Sequence, residues 1–190
     1  MAEKPDASSS PQLLDRIGRI LDEEHVNWAT IGALAVAYHG VVRASLDADA
    51  LITLKDAGLD LDALAALLSR QGWTVDTRIG EEGDPLGFVL RISDGAGNQV
   101  DLVGGIRKLD PDFFTRAIED EFDGLKLRVA SPEDLIALKV FAGGPKDMED
   151  AEGVLDVQES GIDRELVLSL CKRFGRDEEM SCRKLLGNPG

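Results

Sequence analysis

Apolar positions along the chain alternate between two periods, and the changes of period mark out its elements. Leu13, Leu14, Ile17, Ile20 and Leu21 recur at helical spacing and predict an amphipathic helix ending near Glu24. Residues 28–31 read as a short strand running into Gly32-Ala33, and residues 34–38 as a short, nearly all-apolar helix closed by Gly40. Residues 47–54 follow as a strand. Strand period places Leu46, Ala48, Ala50, Ile52 and Leu54 on one wholly apolar face and Asp47 with Asp49 on the other. Leu61, Leu64, Leu67 and Leu68 stripe a helix over residues 59–71, stopped by Gly72. Residues 73–77, 87–92 and 99–103 read as strands, the last two joined by the hairpin connection Asp94-Gly95-Ala96-Gly97-Asn98, which puts Asp101 in an antiparallel ladder.

Farther on, residues 111–120 read as a helix and 125–129 as a strand. Ser131-Pro132-Glu133-Asp134 has the chemistry of a helix start: a capping hydroxyl, Pro at the first helical position and acids in the first turn. That helix runs to about Ala142, breaks at Gly143-Gly144-Pro145 and resumes over residues 146–157; residues 163–174 form another. The fold class is therefore α+β: a small mixed, largely antiparallel sheet flanked by helices, with helices closing the C-terminal part. The expected organisation is a disordered start over residues 1–10, a core over 11–130, a helical part packed on it over 131–175, and a polar tail over 176–190.

Two places break the strand pattern. Asp47-Ala48-Asp49 and Val100-Asp101-Leu102 set carboxylates inside runs that otherwise read as buried strands. Asp is among the residues a strand tolerates least, and burying an ionised carboxylate is costly unless a positive charge compensates it. With 22 Asp in the chain, chance alone yields roughly two or three Asp-x-Asp matches. The chain has three, and Asp60/Asp62 and Asp110/Asp112 each precede a helical pattern, where Asp caps free N–H groups. Only Asp47/Asp49 lies within a strand-like run, and with Asp101 it points to a bound cation.

Composition narrows the partners. At 190 residues the chain is long enough for one domain with a full core. A net charge of −15 repels phosphate backbones and anionic membranes, so direct nucleic-acid contact is disfavoured without a local basic patch. No stretch approaches the roughly 18 to 20 apolar residues of a membrane span, and the first residues lack an apolar signal core. Cys171 and Cys182 fit neither a metal spacing nor a disulfide framework, so reduced thiols and a cytoplasmic location are expected. His25 and His39 match no metal or triad spacing, and Trp28 and Trp73 read as core anchors.

Taken in order, Ile31-Gly32-Ala33-Leu34-Ala35, Arg43-Ala44-Ser45-Leu46-Asp47-Ala48-Asp49 and Val100-Asp101-Leu102 resemble the core of the polymerase-β-type nucleotidyltransferases. Ser131 to Lys139, followed by Pro145-Lys146-Asp147-Met148-Glu149-Asp150, is similar to the AbiEii-like branch, which contains toxin nucleotidyltransferases and minimal relatives. The resemblance implies a sheet of the nucleotidyltransferase type and transfer of a nucleoside monophosphate from an NTP to an acceptor hydroxyl on a protein, small molecule or tRNA. It also implies Mg²⁺ or Mn²⁺ held by Asp47, Asp49 and Asp101, and a cognate toxin–antitoxin partner. The chemistry suits the residues: Mg²⁺ takes oxygen ligands and keeps several waters, and residues i and i+2 of a strand point the same way. Gly32 and Ala33 would let backbone N–H groups approach the triphosphate, Ser45 would offer a hydroxyl, and Lys139 and Lys146 would neutralise the β- and γ-phosphates.

Several of these residues carry two readings. Arg43 contacts phosphate or pairs with the acidic cluster; Lys139 holds phosphate or lies on a solvated helix face. Asp147 and Asp150 share a helix face and either orient Lys139 or Lys146 or serve as first-turn dipole partners. A rival to the enzyme is a weakly active or inactive module that keeps the fold and acts through a protein partner. Ala33, where the family has Gly or Ser, favours the module; the intact Asp triad favours the enzyme.

Overall fold

Pairing of the strand-forming runs gives a single seven-stranded sheet in the computed structural model, which describes residues 9–43 and 47–187. Its strands are β1 (Asn27–Ile31), β2 (Ala48–Thr53), β3 (Thr74–Ile79), β4 (Phe88–Ser93), β5 (Gln99–Gly104), β6 (Ile118–Phe122) and β7 (Leu125–Val129). The order across the sheet is β3-β4-β5-β2-β1-β7-β6. Four neighbouring pairs are antiparallel; β2 with β5 and β1 with β7 are parallel. The sheet is thus mixed and largely antiparallel, flanked by helices, as the period changes predict.

The helices are α1 (Ser10–Glu23), α2 (Gly32–Tyr38), α3 (Leu61–Ser69), α4 (Phe113–Arg116), α5 (Pro132–Ala142), α6 (Pro145–Val157), α7 (Arg164–Phe174) and α8 (Arg176–Leu185). Helix α1 opens with a reciprocal capping box between Ser9 and Gln12 and buries Leu13, Leu14, Ile17 and Leu21. It crosses β1 closely because Gly18 has no side chain; a Cβ there would meet the Trp28 ring at 2.4 Å. Ser131 caps α5 by accepting from the Asp134 N–H, and Gly143 ends it at φ 67°. The Arg116 fork donates to both oxygens of the buried Asp134 at 2.7 and 2.8 Å, and its other arm reaches Asp110 at 3.0 Å, which ties α4 to α5. Phe141 of α5 stacks on Phe174 of α7 with centroids 4.4 Å apart, so the helical part is packed through aromatic contact. Trp28 and Trp73 lie in the core, and buried His39 donates from Nε2 to the Ala130 carbonyl at 2.9 Å.

Two sequence readings are corrected. Residues 111–120, expected as one helix, contain only the single turn α4; the chain then becomes extended at Ala117 and forms β6. The cause is the Asp123-Gly124 pair, both at positive φ, which closes a two-residue hairpin onto β7. Strand β6 is an exposed, acid-rich edge, matched to basic β7 through Glu119 and Arg128. The segment expected as a polar tail contains α8, which buries Cys182 while Leu186 just beyond it joins the core. Of the expected disordered start, residues 1–8 lie outside the described residues, and Ser9 and Ser10 begin α1.

Candidate active site

The register of the sheet brings the strand-embedded acids together. In the parallel β2–β5 pair Asp49 lies directly opposite Asp101, and in the antiparallel β1–β2 pair Asp49 lies opposite Ile31, the residue before Gly32. Asp47 stands two positions earlier on the same side of the strand line, just before β2, and is exposed. Asp49 is half-buried, and burial, then the Asp101 and Asp47 charges, push its carboxyl up to about 6. Such a carboxylate row carries excess negative charge that a cation would relieve.

Gly32, the first residue of α2 after β1, borders the row. Its φ of 67° is in the left-handed region, and a Cβ at this position would meet Oδ2 of Asp49 at 2.4 Å. The small residue is therefore required by a specific neighbour: the Asp49 carboxylate occupies the space a side chain would fill. Ala33 follows inside α2, whose first turn has no side-chain cap.

Lys139 approaches from α5. Its side chain is only 14 % exposed and pairs with Asp147 at 2.8 Å and Asp150 at 2.9 Å, both on α6. Burial would lower its pKa, but the two carboxylates outweigh burial and hold it above the ordinary value. The solvated-face reading of Lys139 is thus wrong, and Asp147 and Asp150 are its partners. Arg43 also converges on the buried Asp150, with Nη1 at 2.6 Å, so it pairs with an acid of α6. Lys146 is exposed at the start of α6 and is not among the residues walling the cleft described below. Ser45 lies outside the described residues.

Beside this charge network opens a cleft of about 460 Å³. Leu86, Val103, Ile106, Leu135, Leu138 and Phe141 form apolar walls, and Gly32, Lys139 and Asp147 supply its polar edge. The combination of apolar walls and a few polar groups at one end suits a small organic ligand bearing charge.

The donor set fits a hard divalent ion. Asp47, Asp49 and Asp101 offer only oxygens, and Mg²⁺ or Mn²⁺ needs few protein ligands because it keeps its waters. Among the described residues no three His, Cys, Asp or Glu side chains converge into a closed cage. Asp101 has a cationic partner within the sheet: Arg91 of β4 grips it, Nε to Oδ1 at 2.9 Å and Nη2 to Oδ2 at 2.8 Å. Arg91 is the site residue that sequence reading missed. The signal was present, since a hairpin closed by residues 94–98 pairs position 91 with 101.

The other Asp-x-Asp pairs have local roles. Asp60 caps α3 through the Ala63 N–H at 2.9 Å, and Asp110 holds Arg116.

The mixed sheet thus carries a carboxylate row at the β2–β5 seam, with a glycine turn beside it and the buried Lys139 of α5 close by. The chain belongs to the family described as nucleotidyl transferase of unknown function (DUF2204), whose model matches residues 11–186. Among solved structures it is similar to the antibiotic-resistance factor ANT(2″)-Ia in complex with adenylyl-2″-tobramycin, with TM-score 0.61 and 18% identity, covering 87% of this chain and 98% of that one. It is also similar to an antigenic nucleotidyltransferase-like protein from Paracoccidioides brasiliensis, with TM-score 0.56 and 16% identity, covering 95% and 86% of the two chains. Comparison with curated protein sequences gives no match. At these identities the structural likenesses establish the fold, and the family match establishes the class of enzyme. Among the described residues no helix is long and apolar enough to cross a membrane.

Proposed function

We propose that this protein transfers a nucleoside monophosphate from an NTP to an acceptor hydroxyl, with Mg²⁺ or Mn²⁺ held by Asp47 and Asp49 and with Asp101 acting beside them. The observation that carries this reading is the strand register that sets Asp49 against Asp101, with the bare Cα of Gly32 filled in by the Asp49 carboxylate. Bound divalent ions supply charge compensation for the oxygens of an in-line displacement at the α-phosphorus. The apolar cleft takes the nucleoside, and Lys139 at its edge takes the charge of the departing phosphates, exchanging a carboxylate partner for a phosphate oxygen. Gly32 leaves room for the chain to approach the phosphates closely. The new bond joins the acceptor oxygen to the α-phosphorus, the bond to pyrophosphate breaks, and the hydroxyl proton passes to Asp101.

The acceptor in this reading is a small molecule or a protein side chain. A net charge of −15 disfavours a polyanion such as tRNA, and ANT(2″)-Ia, similar in fold, was captured with an adenylylated small molecule. The AbiEii-like order of motifs supports a toxin–antitoxin partner, and two free thiols support a cytoplasmic location.

The test is to incubate purified protein with Mg²⁺ and each labelled NTP, adding in turn cell extract, total tRNA and a panel of amino sugars. Label transfer by wild type that is lost in Asp49→Asn is expected. Failure of wild type to transfer label or to bind any NTP would overturn the reading.

A further inference from the structure

Asp101, the third carboxylate of the row, already has a cation. Arg91 lies directly across from it in the β4–β5 pair, and its guanidinium meets the carboxylate fork to fork at 2.9 and 2.8 Å. The same row continues outward, since Asp76 of β3 lies opposite Arg91, and inward, since Asp49 lies opposite Asp101. Across four strands the charges therefore run acid, base, acid, acid. A carboxylate has about four lone-pair positions, and a two-armed guanidinium contact takes one on each oxygen in a geometry that fixes the plane of the group. Arg91 is itself half exposed, and the other arginine on these two strands, Arg78 of β3, lies by Asp84.

Building on the nucleotidyltransferase reading above, we propose that Arg91 is a positioning residue that holds Asp101 out of the first metal shell. The nucleotide-free protein then takes a single divalent ion, on Asp47 and Asp49. Asp101 is kept aligned in the row but unloaded, so it meets the acceptor side of the reaction as a carboxylate rather than as an early metal ligand. Arg is needed for this and Lys is not equivalent, because an ammonium makes a point contact that leaves one Asp101 oxygen open.

The experiment is a Mn²⁺ titration of nucleotide-free protein, followed by electron paramagnetic resonance of the unbound ion. Wild type, Asp49→Asn, Asp101→Asn, Arg91→Met and Arg91→Lys would be compared, each first shown to be folded by circular dichroism. Wild type is expected to bind one ion. Asp49→Asn should lose it, and Asp101→Asn should bind it within about threefold of wild type. Arg91→Met should bind the ion at least tenfold tighter or take a second one, and Arg91→Lys should fall between. If Asp101→Asn weakens the first ion as much as Asp49→Asn does, or if Arg91→Met matches wild type, Arg91 has no such role. If Arg91→Lys matches wild type while Arg91→Met does not, charge alone is responsible and the fork is irrelevant. A wild type that binds two ions overturns the inference and leaves the nucleotidyltransferase reading standing; a wild type that binds none overturns both.

Discussion

Asp49→Asn should make the metal-free protein more stable, and by an amount that depends on pH. Burial and the charges of Asp101 and Asp47 raise the Asp49 carboxyl to about 6, against an ordinary aspartate near 3.8. Folding thus binds this proton roughly a hundredfold more tightly, and each tenfold is about 1.4 kcal/mol. Ionising Asp49 in the folded state therefore costs up to about 3 kcal/mol, and about 1 to 3 kcal/mol is expected after allowing for partial solvation. The sign follows from the direction of the shift. A raised carboxyl pKa leaves the folded state holding more protons than the unfolded chain between about pH 4 and 6. Wild-type stability then falls as pH rises through that window and stays reduced above it. Asn removes the ionisation, so the two proteins should be equally stable near pH 4, and the variant should gain about 1 to 3 kcal/mol by pH 8, or several degrees in Tm. The assay is urea unfolding of both proteins in EDTA from pH 4 to 8, repeated with Mg²⁺ and a non-hydrolysable NTP. Ligand at a hundred times Kd stabilises wild type by about 2.7 kcal/mol and should do little for the variant. A variant no more stable than wild type at pH 8, or a difference that does not change with pH, would refute the reasoning.

Other substitutions probe the neighbours of Asp49. Gly32→Ala places a methyl group 2.4 Å from Oδ2 of Asp49 and forces a side chain onto a φ of 67°, so transfer should fall on the order of a hundredfold while the strain costs only about 1 to 2 kcal/mol; initial rates and thermal melts measure the two separately. Lys139→Ala leaves buried Asp150 with Arg43 alone, which should cost about 1 to 3 kcal/mol in urea unfolding and weaken a non-hydrolysable NTP at least tenfold by titration calorimetry; unchanged affinity would remove Lys139 from the phosphate site. Asp150→Asn should be as destabilising and should lower the affinity less, since Lys139 keeps Asp147, and equal losses in both readouts would mean that the network acts only structurally.

The parts of the site legible in the sequence are those that break a local rule. Asp47, Asp49 and Asp101 interrupt apolar strands, and Gly32 follows one, so each shows up without knowledge of the fold. What the strands do to one another was harder to see. The hairpin over residues 94–98 revealed the antiparallel side of β5, but its parallel pairing with β2 joins segments about fifty residues apart, and no turn signals it. Lys139, Asp147 and Asp150 follow an ordinary helical pattern, and only the packing of α5 on α6 turns them inward. β6 was hidden for a different reason: Ile-Glu-Asp-Glu-Phe has poor strand propensity, and the Asp123-Gly124 turn with a basic partner strand overrides it.

These features share one electrostatic logic. Among the described residues, the cations near the carboxylate row already pair with acids: Arg91 with Asp101, Lys139 with Asp147 and Asp150, and Arg43 with Asp150. Lys139 and Arg91 lower the Asp49 carboxyl, yet burial and the two neighbouring aspartates prevail, and it stays raised. The fold thus spends its own positive charge on holding the surroundings in place and leaves Asp47 and Asp49 uncompensated. A pair of carboxylates arranged this way is stabilised most by a cation that arrives from outside, and a cation that also carries a polyphosphate offers Lys139 a new anionic partner at the same time. Metal and nucleotide should therefore bind with mutual reinforcement, because each relieves a charge that the other leaves behind.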